Sequence, residues 1–134
     1  MLVDTGPLVA ALNGADQYHD WVIEQLHELR GPMLTCEALL SEALVLMRRI
    51  PRGAAGLWSM LEGEGLAVKF SLAEEATAVA KIMLKYADVP MSLADACLVR
   101  MSELNTDQKV LTLDRDFQLY RRHRHRRLPL LLPP

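Results

Sequence analysis

The sequence predicts an α/β fold of three layers, a sandwich with helices on both faces of a mainly parallel five-stranded sheet. Short apolar runs alternate along the chain with longer segments of helical periodicity, the pattern of strand–helix–strand crossovers. The chain is 51% hydrophobic but only 5% aromatic, which suits aliphatic strands under helices better than a sandwich built on aromatic cross-strand pairs. Its 134 residues are enough for one substantial core and too few for two ordinary domains, so a single domain over residues 1–134 is expected.

Met1-Leu2-Val3 is a short apolar run that meets Asp4-Thr5-Gly6-Pro7, a strand end running into a helix start. Leu8 to Leu12 supply a first helical turn or two. After Asn13-Gly14, the residues Val22, Ile23, Leu26 and Leu29 mark the apolar face of a second helix that Gly31-Pro32 stops. Met33-Leu34 is a short second strand, and Thr35 is placed to cap the next helix. Leu39, Leu40, Ala43, Leu46 and Met47 form the stripe of that helix, which closes at Pro51. Arg52 to Glu62 fits a further helix, Gly63 to Gly65 break it, and Leu66 to Phe70 reads as a third strand.

Ser71-Leu72-Ala73-Glu74 has capping-box spacing and opens a helix to about Ala87. Asp88 to Met91 is a loop, and Ser92-Leu93-Ala94-Asp95 repeats the spacing ahead of a helix to about Leu104. Lys109 to Leu113 is the fourth strand; it ends at Asp114 and leads into a short helix. Leu128 to Leu132 reads as a fifth strand at the sheet edge, because Pro129 has no N–H to give a central ladder. Helices between consecutive strands imply right-handed crossovers and parallel pairing.

No apolar run approaches the ~18 residues that a membrane span requires, so a cytoplasmic protein without membrane association is expected. Cys36 and Cys97 are far apart in sequence and in apolar surroundings, which favours two reduced, buried thiols over a disulfide framework or a zinc site. The charge is uneven. Arg121, Arg122, Arg124, Arg126 and Arg127 fall in one short stretch, and removing those five charges from a net -2 leaves -7 on the rest of the chain. An acidic body with one basic patch is compatible with an anionic ligand.

Four acids sit where parallel α/β folds keep their chemistry. Asp4 and Asp114 end strands one and four, Asp95 begins a helix, and Glu42 lies about a turn and a half into the helix after strand two. Strand carboxyl ends and neighbouring helix starts line the crevice where strand order reverses. Two unit charges about 4 Å apart repel by roughly 4 kcal/mol at an effective dielectric near 20, so convergence calls for a cation. A carboxylate set is hard, which favours Mg²⁺ or Mn²⁺ over Zn²⁺, and such ions serve phosphodiester hydrolysis. Each acid also has a plain reading: Asp4 as a turn or cap, Asp95 as the closure of a capping box, Glu42 as a solvated helix charge, Asp114 as a helix cap and Asp116 as an exposed turn charge.

The order and spacing of these residues resemble those of PIN-domain ribonucleases. The opening MLVDTGPLVAAL, Glu42 on its helix, SLADA at Ser92 to Ala96 and LTLDRDF at Leu111 to Phe117 carry the likeness and span nearly the whole chain. It implies a Mg²⁺- or Mn²⁺-dependent endoribonuclease, often the toxin half of a VapC-type toxin–antitoxin pair, and usually a homodimer. By motif, the metal-site residues would be Asp4, Glu42, Asp95 and Asp114, with Asp116 at a less constant acidic position and Thr5 and Thr112 as supporting hydroxyls. Glu37, five residues before Glu42 on the same helix, is an alternative second acid.

The run Arg121 to Arg127 is suited to RNA phosphates or to an acidic antitoxin segment, its plain alternative being a solvated loop. His123 and His125 lie between arginines that would repel a cation, so no zinc site is expected there. His19 and His27 read as surface residues, and Trp21 and Trp58 as core or dimer-contact anchors. Aspartyl-phosphate chemistry of the haloacid-dehalogenase type needs an Asp two residues after the first, where this chain has Gly6; a receiver domain needs one ending the third strand, where Phe70-Ser71 stand. The non-catalytic alternative is a silent domain that binds RNA or a protein partner through the arginine run.

Overall fold

A computed structural model describes residues 1–134. Strands β1 (Leu2–Val3), β2 (Met33–Thr35), β3 (Leu66–Val68) and β4 (Val110–Leu111) alternate with helices α1 (Thr5–Leu12), α2 (His19–His27), α3 (Glu37–Leu46), α4 (Gly53–Glu62), α5 (Leu72–Lys85) and α6 (Leu93–Leu104). Three short strands close the chain: β5 (Arg121–Arg122), β6 (Arg126–Arg127) and β7 (Leu130–Leu131). The main sheet has the order β3-β2-β1-β4-β7, and every pair in it is parallel. This is the expected three-layer α/β/α architecture. Order reverses at β1, whose neighbours are β2 on one side and β4 on the other, so the crevice above β1 and β4 is the switch point.

The layers follow from side-chain alternation along strands. Leu2 and Val110 enter a core cluster with Val79 of α5, Leu98 and Met101 of α6, Phe117 and Tyr120. Their neighbours Val3 and Leu111 point to the opposite face and join Leu8 of α1, Leu40 and Ala43 of α3 and Leu57 of α4. Gly31, at φ +105, makes the turn into β2 in a conformation that a side chain would strain. Gly56 of α4 faces α1, where a Cβ would come within 2.7 Å of Leu12 Cδ2 and displace that side chain. No helix is long and apolar enough to cross a membrane.

Several boundaries differ from expectation for identifiable reasons. Helix α1 begins at Thr5 rather than Leu8, because the Asp4 carboxylate accepts the Thr5 N–H and Pro7 is tolerated in a first turn. Thr35 does not cap α3. It is the last residue of β2, paired in register with Val68, and Cys36 occupies the cap position without a side-chain hydrogen bond. A β-branched residue fits the strand, but the Thr35 hydroxyl is left buried without a partner. Strand β3 stops at Val68 because its partner β2 is only three residues long, and Phe70 turns into the core.

The arginine stretch is not a loop. It is an antiparallel hairpin with Arg121 opposite Arg127 and Arg122 opposite Arg126. Its tip holds His123 at φ 48 and Arg124 at φ 72, a left-handed conformation that costs non-glycine residues of order 1 kcal/mol each. The tip is anchored: the Glu103 carboxylate accepts the His123 N–H at 2.6 Å, and the Arg124 carbonyl accepts from Lys85 Nζ at 2.5 Å. Cys36 and Cys97 are free and buried, and together they line a small cavity. Trp21 packs against the α1/α3/α4 cluster, whereas Trp58 is 51% exposed.

Candidate active site

Asp4 follows β1 at the centre of the sheet and is only 7% exposed. Both of its oxygens are held. One accepts the Thr5 N–H at 2.8 Å and the other the Thr112 hydroxyl at 2.6 Å. Thr112, just beyond β4, in turn accepts the Asp114 N–H at 3.0 Å. These bonds tie the ends of β1 and β4 together at the switch point. Burial pushes the Asp4 carboxyl up to about 6, against the lowering effect of the Thr112 and Thr5 hydrogen bonds; the charges of Asp95 and Asp114 add to the rise.

Asp95 enters from α6. Its carboxylate accepts the Ser92 N–H at 3.3 Å, while the Ser92 hydroxyl accepts the Asp95 N–H at 3.1 Å, a closed capping box. The Tyr120 hydroxyl donates to the same oxygen, Oδ2, at 3.2 Å. Both protein hydrogen bonds therefore fall on Oδ2, which leaves Oδ1 for another partner. Burial raises the Asp95 carboxyl above the usual range and the charge of Glu42 adds to it, while the Ser92 and Tyr120 bonds oppose the rise. Glu42 comes from α3, where the Thr5 hydroxyl reaches its Oε2 at 3.3 Å.

Asp4, Thr5, Glu42, Asp95 and Asp114 line one open cleft of about 310 Å³, with Gly6, Leu46 and Leu113 beside them. Four chain segments thus each contribute an acid to this cleft. Asp114 is exposed and also caps the Arg115–Gln118 turn, its Oδ1 accepting the Asp116 N–H at 2.8 Å. Asp116 does not line the cleft; its charge still acts on the Tyr120 hydroxyl, which burial and Asp95 raise further. Glu37 lines the small cavity beside Cys36 and Cys97 instead.

The donor set in the cleft is all oxygen, which fits a hard divalent cation. No three of its carboxylates stand close enough together to ligate one ion in this arrangement. Tyr120 escaped the sequence reading. Its spacing of three from Phe117 was a signal, because the two rings pack edge to face at 5.1 Å and set the hydroxyl against Asp95.

Of the five arginines, Arg122 has a structural role. Its guanidinium donates to the Ser102 carbonyl and hydroxyl and to the Thr106 carbonyl, closing the C-terminal end of α6. Arg121 is half-buried and donates to the Gln118 and Tyr120 carbonyls, whereas Arg124, Arg126 and Arg127 are exposed.

A family profile described as "PIN domain" matches residues 1–122. Among solved structures, the chain is similar to VapC20 of Mycobacterium tuberculosis, described as a sarcin-ricin loop cleaving toxin, with a TM-score of 0.78, 19% identity, and coverage of 88% of this chain and 92% of that one. Comparison with curated proteins gives no match.

Proposed function

This chain belongs to the PIN-domain family, and on that premise we propose that it is an endoribonuclease hydrolysing RNA phosphodiester bonds with Mg²⁺ or Mn²⁺ held by Asp4, Glu42, Asp95 and Asp114. The observation that carries this reading is the meeting of four carboxylates from separate segments in one cleft, with Asp4 raised to about 6 partly by its acidic neighbours. A divalent ion bound there would polarise a phosphoryl oxygen and lower the pKa of a water.

The chain's own residues prepare for this. Thr5 and Thr112 fix the two Asp4 oxygens so that the carboxylate cannot rotate away from its neighbours. The capping box and Tyr120 hold Asp95 by one oxygen. Thr5 does the same for Glu42 through its hydroxyl. Asp114 is set by its backbone bond to Thr112. Asp116 is a candidate outer contributor.

The proposal includes a toxin role, the one named for VapC20, whose fold this chain resembles, and with it an antitoxin partner, as the sequence resemblance to VapC-type toxins implies. Homodimerisation is part of the same proposal, with the half-exposed Trp58 as a candidate contact. A cytoplasmic location is proposed with it. The exposed arginines Arg124, Arg126 and Arg127 are assigned to RNA or antitoxin contact, with Arg121 in support.

The test is cleavage of labelled RNA by the purified protein. Cutting is expected with Mn²⁺ or Mg²⁺, none in excess EDTA, and a loss in Asp4→Asn beyond the roughly ten- to hundredfold that removal of a residue supporting a metal ligand costs. Activity that survives EDTA would sink the mechanism. A wild type that binds RNA but never cuts it would favour the silent binding domain.

A further inference from the structure

Beyond the acidic cleft, the second half of α5 and the β5–β6 hairpin border an open cavity of about 200 Å³ lined by Lys81, Lys85, Arg121 and Arg124, with Tyr86 and Glu103. Four cations face one carboxylate, and that carboxylate is already engaged by the His123 N–H at 2.6 Å and by Arg100 at 3.3 Å. Like charges gathered in this way repel unless an anion joins them. The backbone that carries the two arginines is nevertheless anchored here. The Tyr86 hydroxyl accepts the Arg121 N–H at 2.8 Å, Lys85 donates to the Arg124 carbonyl, and the strained tip is held against α5 and α6 by these contacts. Donors remain to spare. Lys85 uses one of its three, Lys81 makes no hydrogen bond to the protein, and only one terminal nitrogen of Arg121 is engaged.

The cavity adjoins the cleft through two rings. Tyr86 borders the cavity and packs edge to face on Tyr120 at 5.2 Å, and the Tyr120 hydroxyl donates to Asp95. We propose that this cavity seats a backbone phosphate of the RNA strand away from the cleft's own scissile position, with Lys81, Lys85, Arg121 and Arg124 as its ligands. The assignment rests on the ribonuclease reading for the identity of the polyanion. Lys and Arg donors gathered around a small cavity suit the compact, multiply accepting phosphate group, and a basic groove that tracks the backbone is what sequence-tolerant single-strand binding requires.

Binding is read by fluorescence anisotropy of a labelled single-stranded oligoribonucleotide on the full-length protein in EDTA. The acidic cleft repels phosphate under that condition and cleavage does not interfere. The double variant Lys81→Gln/Lys85→Gln should weaken binding about tenfold and flatten the log–log salt dependence by about 1.4, two phosphate contacts at roughly 0.7 each. Lys81→Gln alone, which disturbs no hydrogen bond, should move both readouts in the same direction by about half.

Arg30→Gln/Lys69→Gln removes two exposed charges that do not border the cavity and should weaken binding less than threefold. Equal losses in the two double variants would mean a diffuse field and overturn the seat. So would unchanged RNA binding together with a loss of affinity for a labelled poly-glutamate peptide, which would mark the cavity as a protein-partner site. Loss of RNA binding in the lysine variants without any Mn²⁺-dependent cutting by the wild type would leave the seat standing and remove the ribonuclease reading. Normal cutting with unaltered binding would do the reverse.

Discussion

Asp95 carries two roles on one carboxylate, and the two predict different outcomes for one substitution. Oδ2 closes the capping box and receives Tyr120, while Oδ1 has no protein partner. In Asp95→Asn the amide oxygen can still accept the Ser92 N–H, and the charge that burial and Glu42 disfavour is removed. Stability should change by less than about 1 kcal/mol, the scale of a helix cap, while RNA cleavage in Mn²⁺ is lost. Urea unfolding and a cleavage assay on one preparation separate the two; a clearly destabilised but fully active variant would reduce Asp95 to a cap. At this scale the sequence was informative because strand ends and helix starts are written in turn chemistry: Asp-Thr-Gly-Pro and Ser-x-x-Asp announce where Asp4 and Asp95 stand. It could not show which oxygen of Asp95 is used, or that Tyr120 supplies a hydroxyl, since both depend on contacts between residues 25 positions apart.

Among the elements, the helices were easier to read than the strands. Helix α5 begins at Ser71's cap and α6 at Ser92's, as their spacing foretold. Strand ends were overdrawn, because a ladder is only as long as its partner: β1 and β4 are two residues each, and Leu66 to Phe70 pairs over three. The arginine hairpin was hidden for a different reason. Its tip has no Asn-Gly or Asp-Gly signal, and its left-handed residues are held by Glu103 and Lys85 from other elements. Within it, Arg122 is the hinge between hairpin and helix. Because its guanidinium closes the end of α6, Arg122→Gln should destabilise the fold by about 1.5 to 3 kcal/mol, the range for hydrogen bonds to charged groups. Its effect on the salt dependence of RNA binding should be negligible. Chemical denaturation together with anisotropy across a salt series checks both, and a stable variant with a flattened salt slope would return Arg122 to the RNA surface.

Across the whole molecule, topology concentrates negative charge at the switch point and positive charge on the hairpin, and the stability of the fold should register the first of these. The unfolded Asp4 carboxyl titrates near 3.8 and the folded one near 6, so between those values the folded state holds the proton more tightly. The metal-free protein should therefore lose stability as pH rises through that window, by up to about 3 kcal/mol for a shift of roughly two units. Above pH 6 the buried charge is borne in full, and a cation bound beside Asp4 would reverse the sign of its environment. Mn²⁺ should then raise the melting temperature more at pH 7.5 than at pH 5, where it must displace a proton. Asp4→Asn should flatten the metal-free pH dependence and abolish most of the Mn²⁺ gain, while the Thr5 N–H can still be capped by the amide oxygen. Melting curves of both proteins at the two pH values, with and without Mn²⁺, decide the matter: an equal Mn²⁺ shift at both pH values in the wild type, or an undiminished shift in Asp4→Asn, would place the metal away from the carboxylate that β1 delivers to the centre of the sheet.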